Sequence, residues 1–386
     1  MHSRRKRRLA IGVTAAAIVV WLAAPTISTA VFLLDMAGAG GTWRTWIPFG
    51  AHAVSTENRT IASRHGPVPV RIYRPDGAPE RAAVVVPGVH GGGVDEPRLA
   101  ELCRRLAATG MTVVCAPLPE LREFIVTARS TDQIEDVTRW AADNPEVAAS
   151  GRVGLVGVSF GGGLSLVAAG RPTLAERIEV VVSIGGYGDL SRVLRYLCTG
   201  ALPDGTYRTP HDYGLAVVAY AAADRLVPPD QAARLARGIR TFLEASLDDS
   251  PGQPLAARLL SDARAQAAGM PEPARRILQG VIDRDHAYLG QLLAPLVDEL
   301  AADPALSPER RPATRVPVFL LHGQEDNVIP SSETPLTGQY LRATGNRRVT
   351  WLLTPLLTHA RMTSLPNAIE AWRVIAFWRG VFAVLE

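Results

Sequence analysis

The sequence predicts an α/β fold, in which a mostly parallel, twisted sheet is flanked by helices and carries a helical insertion before its last two strands. From residue 82 onward, short apolar runs alternate with amphipathic stretches, as is typical of a parallel sheet. A glycine-rich turn at residues 157–161 joins one apolar run to a helical pattern. Between residues 186 and 314 the alternation stops, and helical patterns separated by Pro, Gly and Asp replace it.

The elements follow in chain order. Two strands, His52–Ser63 and Pro69–Tyr73, are separated by a turn and are predicted to open the sheet as an antiparallel pair. The later strands are short apolar runs, predicted at Ala82–Val86, Met111–Ala116, Arg152–Val156, Glu179–Ile184, Val316–Leu321 and Val349–Leu353. Helices between and after them are predicted at Arg98–Ala108, Asp132–Ala142, Phe160–Ala169 and Leu365–Leu385. Inside the insertion, helices are predicted at Gly214–Arg225, Gln231–Leu247, Pro254–Ala268, Glu272–Ile282 and Tyr288–Ala301.

Charge is concentrated at the N-terminus. The chain of 386 residues has 41 Lys and Arg against 37 Asp and Glu, and five of the basic residues lie at positions 4–8. The remainder is near neutral, so a nucleic-acid-binding surface is not expected. The three cysteines, at 103, 115 and 198, match no zinc spacing, and no metal site is expected. We expect all three to be buried thiols. A Cys103–Cys115 disulfide is the alternative if the domain lies outside the cytoplasm.

An apolar segment follows the basic tail. Residues 9–34 are almost uninterrupted apolar or small residues, enough for a membrane span of about 20 residues. The basic residues predict a cytoplasmic N-terminus, with the globular part of the chain on the other side of the membrane. A cleaved signal peptide ending near Ser28-Thr29-Ala30 is the alternative, and it also exports the domain. We therefore divide the chain into a tail (1–8), an anchor (9–34), a linker (35–51) and a globular part.

The turn at 157–161 reads Gly-Val-Ser-Phe-Gly, a G-x-S-x-G pattern. An apolar strand precedes it and a helix rich in small residues follows, which places Ser159 on a tight strand–helix elbow. A serine held in this way is exposed to attack a carbonyl carbon. The alternative is a glycine-rich turn in which Ser159 only caps the helix.

A nucleophilic serine needs a base and an acid. His359 follows the last strand and precedes the last helix, and we predict that it is the base. Asp326 follows the strand that ends at His322, and we predict that it is the acid. Glu325 and Asp189 are alternative acids, and a turn role for Asp326 is also open.

With the order Ser159, Asp326, His359, residues 52–386 resemble the α/β-hydrolase superfamily, in which the triad follows this order. The resemblance implies a core at 52–185 and 315–386 and places residues 186–314 as a helical cap. It also implies an oxyanion hole made by the backbone N–H of Phe160 and by a second N–H in the loop after the strand at 82–86. Val89 is the favoured second donor, with Gly91 or Gly92 as alternatives if His90-Gly91-Gly92-Gly93 acts as an HGGG motif.

These features predict a membrane-anchored serine hydrolase that cleaves a small-molecule or lipid acyl ester through an acyl-enzyme, with no cofactor. A peptidase or an acyltransferase would use the same triad. A non-catalytic, membrane-tethered binding module with this fold is the alternative of another class.

Overall fold

The structure of the protein, a computed structural model, describes residues 24–37, 52–77, 81–247, 254–357 and 367–385. The basic tail, residues 9–23 of the predicted anchor, residues 38–51 and His359 lie outside the described residues. Within them, no helix is both long enough and apolar enough to cross a membrane.

Eight strands form one sheet within the described residues, in the order β1-β2-β4-β3-β5-β6-β7-β8. Their bounds are Val54–Ile61 (β1), Val68–Pro75 (β2), Arg81–Val86 (β3), Met111–Cys115 (β4), Val153–Val158 (β5), Ile178–Ile184 (β6), Val318–Gly323 (β7) and Val349–Thr354 (β8). β2 pairs antiparallel with β1 and β4, and all the other pairs are parallel. The predicted α/β-hydrolase fold, with its antiparallel start, is confirmed. The parallel strands are almost wholly apolar because helices cover both faces of the sheet.

The longer helices pack on both faces of this sheet or form the cap. They are Pro97–Ala108 (α1), Ala128–Asp143 (α2), Phe160–Ala169 (α3), Leu190–Thr199 (α4), Asp212–Ala221 (α5), Pro229–Ala245 (α6), Pro254–Ala268 (α7), Ala274–Ile282 (α8), His286–Leu293 (α9), Glu333–Ala343 (α10) and Ala368–Leu385 (α11). Short helical turns lie at Pro119–Arg122, Ala223–Leu226 and Val297–Leu300. α5 to α9 correspond to the five predicted cap helices. The predicted helix Tyr288–Ala301 is shorter in the structure, since α9 ends at Leu293.

Two helices, α4 and α10, are missing from the sequence-based prediction. α10 contains Pro335 and Gly338, which weaken a helix in isolation. In the structure Pro335 lies in the first turn, where its missing N–H costs nothing, and Gly338 packs against the ring of Trp351. Tertiary packing therefore outweighs the local propensity in α10. α4 begins at Asp189, whose side chain accepts a hydrogen bond from the N–H of Arg192 at 3.0 Å and caps the helix.

A buried ion pair joins the start of the cap to the core. The carboxylate of Glu333, fully buried on α10, lies 2.7 Å from Nε of Arg192 on α4. Arg192 also donates to both carboxylate oxygens of Glu309, at 2.7 and 2.8 Å. The N–H groups of Gly188 and Asp189 donate to Glu333 as well. Because each charge has a partner, the burial of this cluster is compensated.

The carboxyl end of the predicted anchor packs on protein. Residues 24–36 are helical, and Phe32 is buried against Trp378 and Phe382 of α11, with ring centroids 5.1 and 5.4 Å apart. Asp35 of this helix lies 3.4 Å from a guanidinium nitrogen of Arg105 on α1. The residues from about 29 onward are thus part of the hydrolase domain.

The three cysteines are free thiols, and all are buried. Cys103 on α1 lies beside Cys115 on β4. Burial, together with the hydrogen bond to the Cys115 thiol, raises the pKa of Cys103 well above its usual value. No disulfide links the pair in this structure.

Candidate active site

Ser159 lies at the junction between β5 and α3, at the carboxyl edge of the sheet. Its backbone has φ 54° and ψ −129°, a conformation that is strained for a residue with a side chain. The N–H of Ser159 donates to the carbonyl of Ile184 at 2.8 Å, which ties the elbow to the neighbouring strand β6. The side chain makes no capping hydrogen bond to α3. The structure thus gives Ser159 the backbone of a nucleophile elbow and no capping role.

The elbow is crowded against the loop that follows β3. A Cβ atom added to Gly88 would lie 2.7 Å from Cβ and 3.1 Å from Oγ of Ser159. A Cβ atom added to Gly161 would lie 2.7 Å from the carbonyl oxygen of Val86 and would also strike that of Pro87. Only glycine at these two positions lets the loop and the elbow approach so closely. Residues 87–89 therefore run alongside the Ser159 hydroxyl.

The candidate oxyanion donors differ in whether their backbone N–H groups already donate a hydrogen bond. Within the described part of the chain, the N–H groups of Val89 and Phe160 donate no hydrogen bond. The N–H of Gly92 donates to Nδ1 of His90 at 3.1 Å and is already used. A Cβ added to Gly91 would meet the side chains of Leu247 and Phe124, whereas Ser159 is the neighbour of Gly88. The arrangement favours the register with Val89 over the alternatives Gly91 and Gly92.

Asp326 follows β7, two strands away from β5, and it is buried. Its Oδ1 accepts hydrogen bonds from the N–H groups of Val328 and Ile329 at 2.9 and 3.0 Å. Its Oδ2 lies 3.2 Å from Nε2 of His322. These contacts fix the carboxylate at the same edge of the sheet as Ser159, because parallel strands all end at that edge.

His322, the penultimate residue of β7, is a supporting residue that the sequence analysis did not identify. Its side chain is fully buried, and its Nε2 is 2.9 Å from the carbonyl oxygen of Ile329. Since both neighbours of Nε2 are acceptors, we assign the proton to Nε2. Nδ1 then accepts from the hydroxyl of Thr334 at 2.8 Å. Both ring nitrogens are engaged, so His322 holds the Asp326 loop and is not placed to act as the base.

The alternative acids have other partners. Glu325 is exposed and lies 3.6 Å from the guanidinium of Arg208. Asp189 caps α4 and lies 3.0 Å from Nε of Arg310. Burial raises the pKa of Asp189, but hydrogen bonds and nearby arginines outweigh this and hold the pKa below its usual value. Both contacts of Asp189 are explained by the structure of the cap.

The predicted base, His359, lies outside the described residues, so its distances to Ser159 and Asp326 are not part of this geometry. The chain leaves β8 at Thr354 and is described as far as residue 357. The carbonyl of Thr354 accepts from the N–H of Gln324 at 3.0 Å, which links the end of β8 to the Asp326 loop.

The insertion makes direct contacts with the loop that follows β3 and with the Asp326 loop, and no residue pattern predicts them. The N–H of His211 donates to the carbonyl of Asn327, next to Asp326, at 2.8 Å. Arg208 donates to the carbonyls of Gln324 and Asp326 at 2.8 and 3.2 Å. The hydroxyl of Tyr213 on α5 donates to the carbonyl of Val89 at 3.0 Å. Arg208 and His211 lie in the irregular segment before α5 and Tyr213 lies in its first turn, where polar and aromatic residues alone indicate only an exposed surface.

The sequence profile of the X-Pro dipeptidyl-peptidase (S15) family matches residues 122–350, more than half of the chain. The chain belongs to this family. S15 is a family of serine hydrolases with the α/β-hydrolase fold, and the protein is accordingly a serine hydrolase. The part that matches the S15 profile contains Ser159, Asp326 and the whole cap. It leaves out the loop at 87–93 and residue 359.

Solved structures similar to this S15-family chain include several hydrolases. An esterase from the archaeon Pyrobaculum calidifontis has 19% identity and a TM-score of 0.48, with 93% of this chain and 90% of that chain covered. An esterase from Pyrococcus furiosus has 12% identity and a TM-score of 0.45 over 86% and 90% of the two chains. An acylaminoacyl peptidase from Pyrococcus horikoshii has 12% identity and a TM-score of 0.45 over 89% of this chain and 44% of its own. Because the sequence identities and TM-scores are this low, we infer no activity from these structures. No curated protein sequence matches the chain.

Proposed function

We propose that the protein cleaves an ester, or a related acyl bond, through a triad of Ser159, His359 and Asp326 and an acyl-enzyme intermediate. The observation that carries the proposal is the strained elbow of Ser159, with the glycine turn at residue 88 packed against its hydroxyl. Backbone strain of this kind costs about 1–3 kcal/mol and is retained where function requires it. A serine that only capped a helix would not need it.

In the proposed reaction, Oγ of Ser159 attacks the carbonyl carbon while His359 takes the hydroxyl proton. Asp326 orients the imidazole of His359 and stabilises its charged form. His359 then gives the proton to the leaving alcohol, and the acyl group stays on Ser159. Water, activated by His359, attacks the acyl-enzyme and releases the acid together with the free serine.

Negative charge develops on the carbonyl oxygen in both steps. We assign its stabilisation to the N–H groups of Phe160 and Val89, which border Ser159 from the helix side and from the loop side. One such donor is typically worth about 3 kcal/mol of transition-state stabilisation. This assignment is supported by the close packing of Gly88 on Ser159.

A peptidase activity is the second candidate, and the family match supports it, because the S15 family is described as X-Pro dipeptidyl peptidases. An acyltransferase to an alcohol would use the same triad. Turnover of p-nitrophenyl esters, compared with turnover of an X-Pro p-nitroanilide, separates the first two activities. Transfer products formed on addition of alcohols would identify the third.

The triad is tested by labelling with a fluorophosphonate probe. We expect wild type to be labelled, and Ser159→Ala and His359→Ala to lose labelling and ester turnover while they keep their fold by circular dichroism. Equal labelling of wild type and Ser159→Ala would refute the assignment of the nucleophile.

We further propose that the N-terminal segment anchors the protein in the membrane, with the N-terminus in the cytoplasm and the hydrolase domain outside. Because residues from about 29 onward pack on the domain, we place the lipid-embedded part at residues 9–28, close to the length of about 20 residues that a span requires. Alkaline carbonate extraction of expressing cells is the test. Release of the full-length chain into the soluble fraction would contradict the anchor, and a shortened N-terminus would indicate cleavage of a signal peptide.

A further inference from the structure

A tyrosine hydroxyl of the cap contacts the loop beside Ser159. Tyr213 lies in the first turn of α5, and its hydroxyl donates to the carbonyl oxygen of Val89 at 3.0 Å. The N–H of the same peptide unit belongs to His90, and it donates to the carbonyl oxygen of Leu121 at 3.1 Å. Both polar groups of the peptide between residues 89 and 90 are therefore paired, and its plane is fixed from two sides.

Holding this peptide plane also restrains the peptide before it, through the Cα atom that they share. The peptide unit before it carries the N–H of Val89, the proposed oxyanion donor, and the two units share the Cα of Val89. A shift of the 89–90 unit would move the shared Cα and carry the Val89 N–H away from the space in front of Ser159. The hydrogen bond from Tyr213 therefore acts on the orientation of a group that it does not itself touch.

Tyr213 is itself held firmly. Its N–H donates to Nδ1 of His211 at 3.2 Å, and its ring packs edge-on against Phe124 with centroids 6.2 Å apart. Phe124 has φ 60°, an uncommon backbone conformation for a residue other than glycine. Asp212, next to Tyr213, lies 2.6 Å from Nε2 of His286 on α9. The first turn of α5 thus contacts both α9 of the cap and the loop that contains Phe124.

We propose that Tyr213 is a positioning residue for the oxyanion hole, so that the seated cap holds the hole in its working geometry. This inference rests on the proposed function, since it assumes that Val89 donates to the oxyanion. The cap would then have two tasks, covering the site and setting the orientation of the Val89 N–H. Displacement of α5 would remove the hydrogen bond and lower turnover without any change to Ser159, His359 or Asp326.

The test compares Tyr213→Phe with Tyr220→Phe on the same helix. Tyr220 is also partly buried, and its hydroxyl makes no hydrogen bond within the described residues. Hydrolysis of p-nitrophenyl butyrate is measured, with active sites counted by titration with a fluorophosphonate so that misfolded protein does not enter kcat. We expect Tyr213→Phe to lower kcat about three- to tenfold, the size expected for one neutral hydrogen bond, with KM within about twofold. Tyr220→Phe should match wild type in both constants.

Three outcomes would overturn the proposal. The first is a kcat of Tyr213→Phe within twofold of wild type. The second is a raised KM at unchanged kcat, which would make Tyr213 a substrate contact. The third is an equal loss in Tyr220→Phe, which would indicate general weakening of the cap. Ser159→Ala separates this inference from the function beneath it. Wild-type turnover in Ser159→Ala would refute both, whereas normal turnover in Tyr213→Phe alone would refute only the positioning role.

Discussion

Replacing Gly161 with alanine tests the geometry of the elbow directly. The added Cβ would lie 2.7 Å from the carbonyl oxygen of Val86 and against that of Pro87, both of them backbone atoms. A flexible side chain could turn away from such a contact, but these carbonyls can move only if β3 and its loop move with them. The substitution therefore increases the distance between α3 and the loop that follows β3.

The size of the effect follows from the distances. To relieve the contact with Val86 from 2.7 Å to the 3.4 Å of an ordinary contact, helix and loop must separate by at least roughly 0.7 Å, and the closer contact with Pro87 requires a larger separation. Overpacking of this kind costs about 1–3 kcal/mol, and the upper half of the range applies because no side chain can absorb the strain. Since a misplacement of about 1 Å can reduce turnover 10²-fold, we expect kcat to fall about 30- to 100-fold.

The assay measures stability and turnover on the same preparations. Urea unfolding followed by tryptophan fluorescence should show a loss of about 2–3 kcal/mol for Gly161→Ala. Gly269→Ala is the matched control, because an added Cβ there meets no atom closer than 3.7 Å. It should stay within about 0.5 kcal/mol and twofold of wild type.

Wild-type stability and turnover in Gly161→Ala would refute this reasoning, since the elbow and the loop could not then be as close as they are here. A large loss of stability with normal turnover per active site would refute the link between this packing and the oxyanion hole.

Two further predictions concern charge. Asp326→Asn should keep the fold but lower kcat about 10⁴-fold, because in the proposed triad a neutral amide cannot hold the imidazole of His359 in the required tautomer. Steady-state ester hydrolysis measures this loss. The second concerns Asp136 and Arg64, whose atoms Oδ1 and Nη2 lie 2.7 Å apart. Burial raises the pKa of Asp136, but hydrogen bonds and charge from Arg64 outweigh it and hold the pKa below its usual value. A lowered pKa in the folded state gives stability that is present above the unfolded value of about 3.9 and is lost as the pH falls through the folded value. Arg64→Met should therefore lower stability by about 1 kcal/mol at pH 7 and by less below pH ~3, as read from urea unfolding across pH.

Each of these predictions has a control. Asp189→Asn should keep turnover within a few-fold, since asparagine also caps a helix, whereas a 10⁴-fold loss there with normal turnover in Asp326→Asn would make Asp189 the acid. Arg177→Met removes an arginine whose carboxylate partner, Asp143, is half exposed, so it should change stability little. An Arg64→Met profile parallel to that of wild type down to pH 2 would show that this ion pair does not contribute to acid sensitivity.

Much of the fold could be read from local patterns. The buried parallel strands are continuous apolar runs. The turn at 157–161 has glycines on both sides of a serine, a pattern that indicates a tight strand–helix elbow. α10 was missed because its Pro335 and Gly338 oppose a helix locally, and only packing against Trp351 shows why the glycine is needed. His322 was missed as a support for Asp326, because a histidine at a strand end gives no sign of which loop its ring will meet.

Residue patterns alone predicted the strands and helices of the core, the nucleophile and acid candidates and the extent of the helical insertion, because these depend on hydrophobic period and on residue types at short spacing. The order of the strands in the sheet came only from the structure. The structure added two observations that favour Val89 over Gly92 as the second donor, namely the use of the Gly92 N–H by His90 and the packing of Gly88 on Ser159. It also brought the hydroxyl of Tyr213, which is distant in the sequence, into contact with the carbonyl of Val89. The contact between Tyr213 and Val89 joins residues 124 positions apart, and no local pattern encodes the angle at which the cap packs on the core.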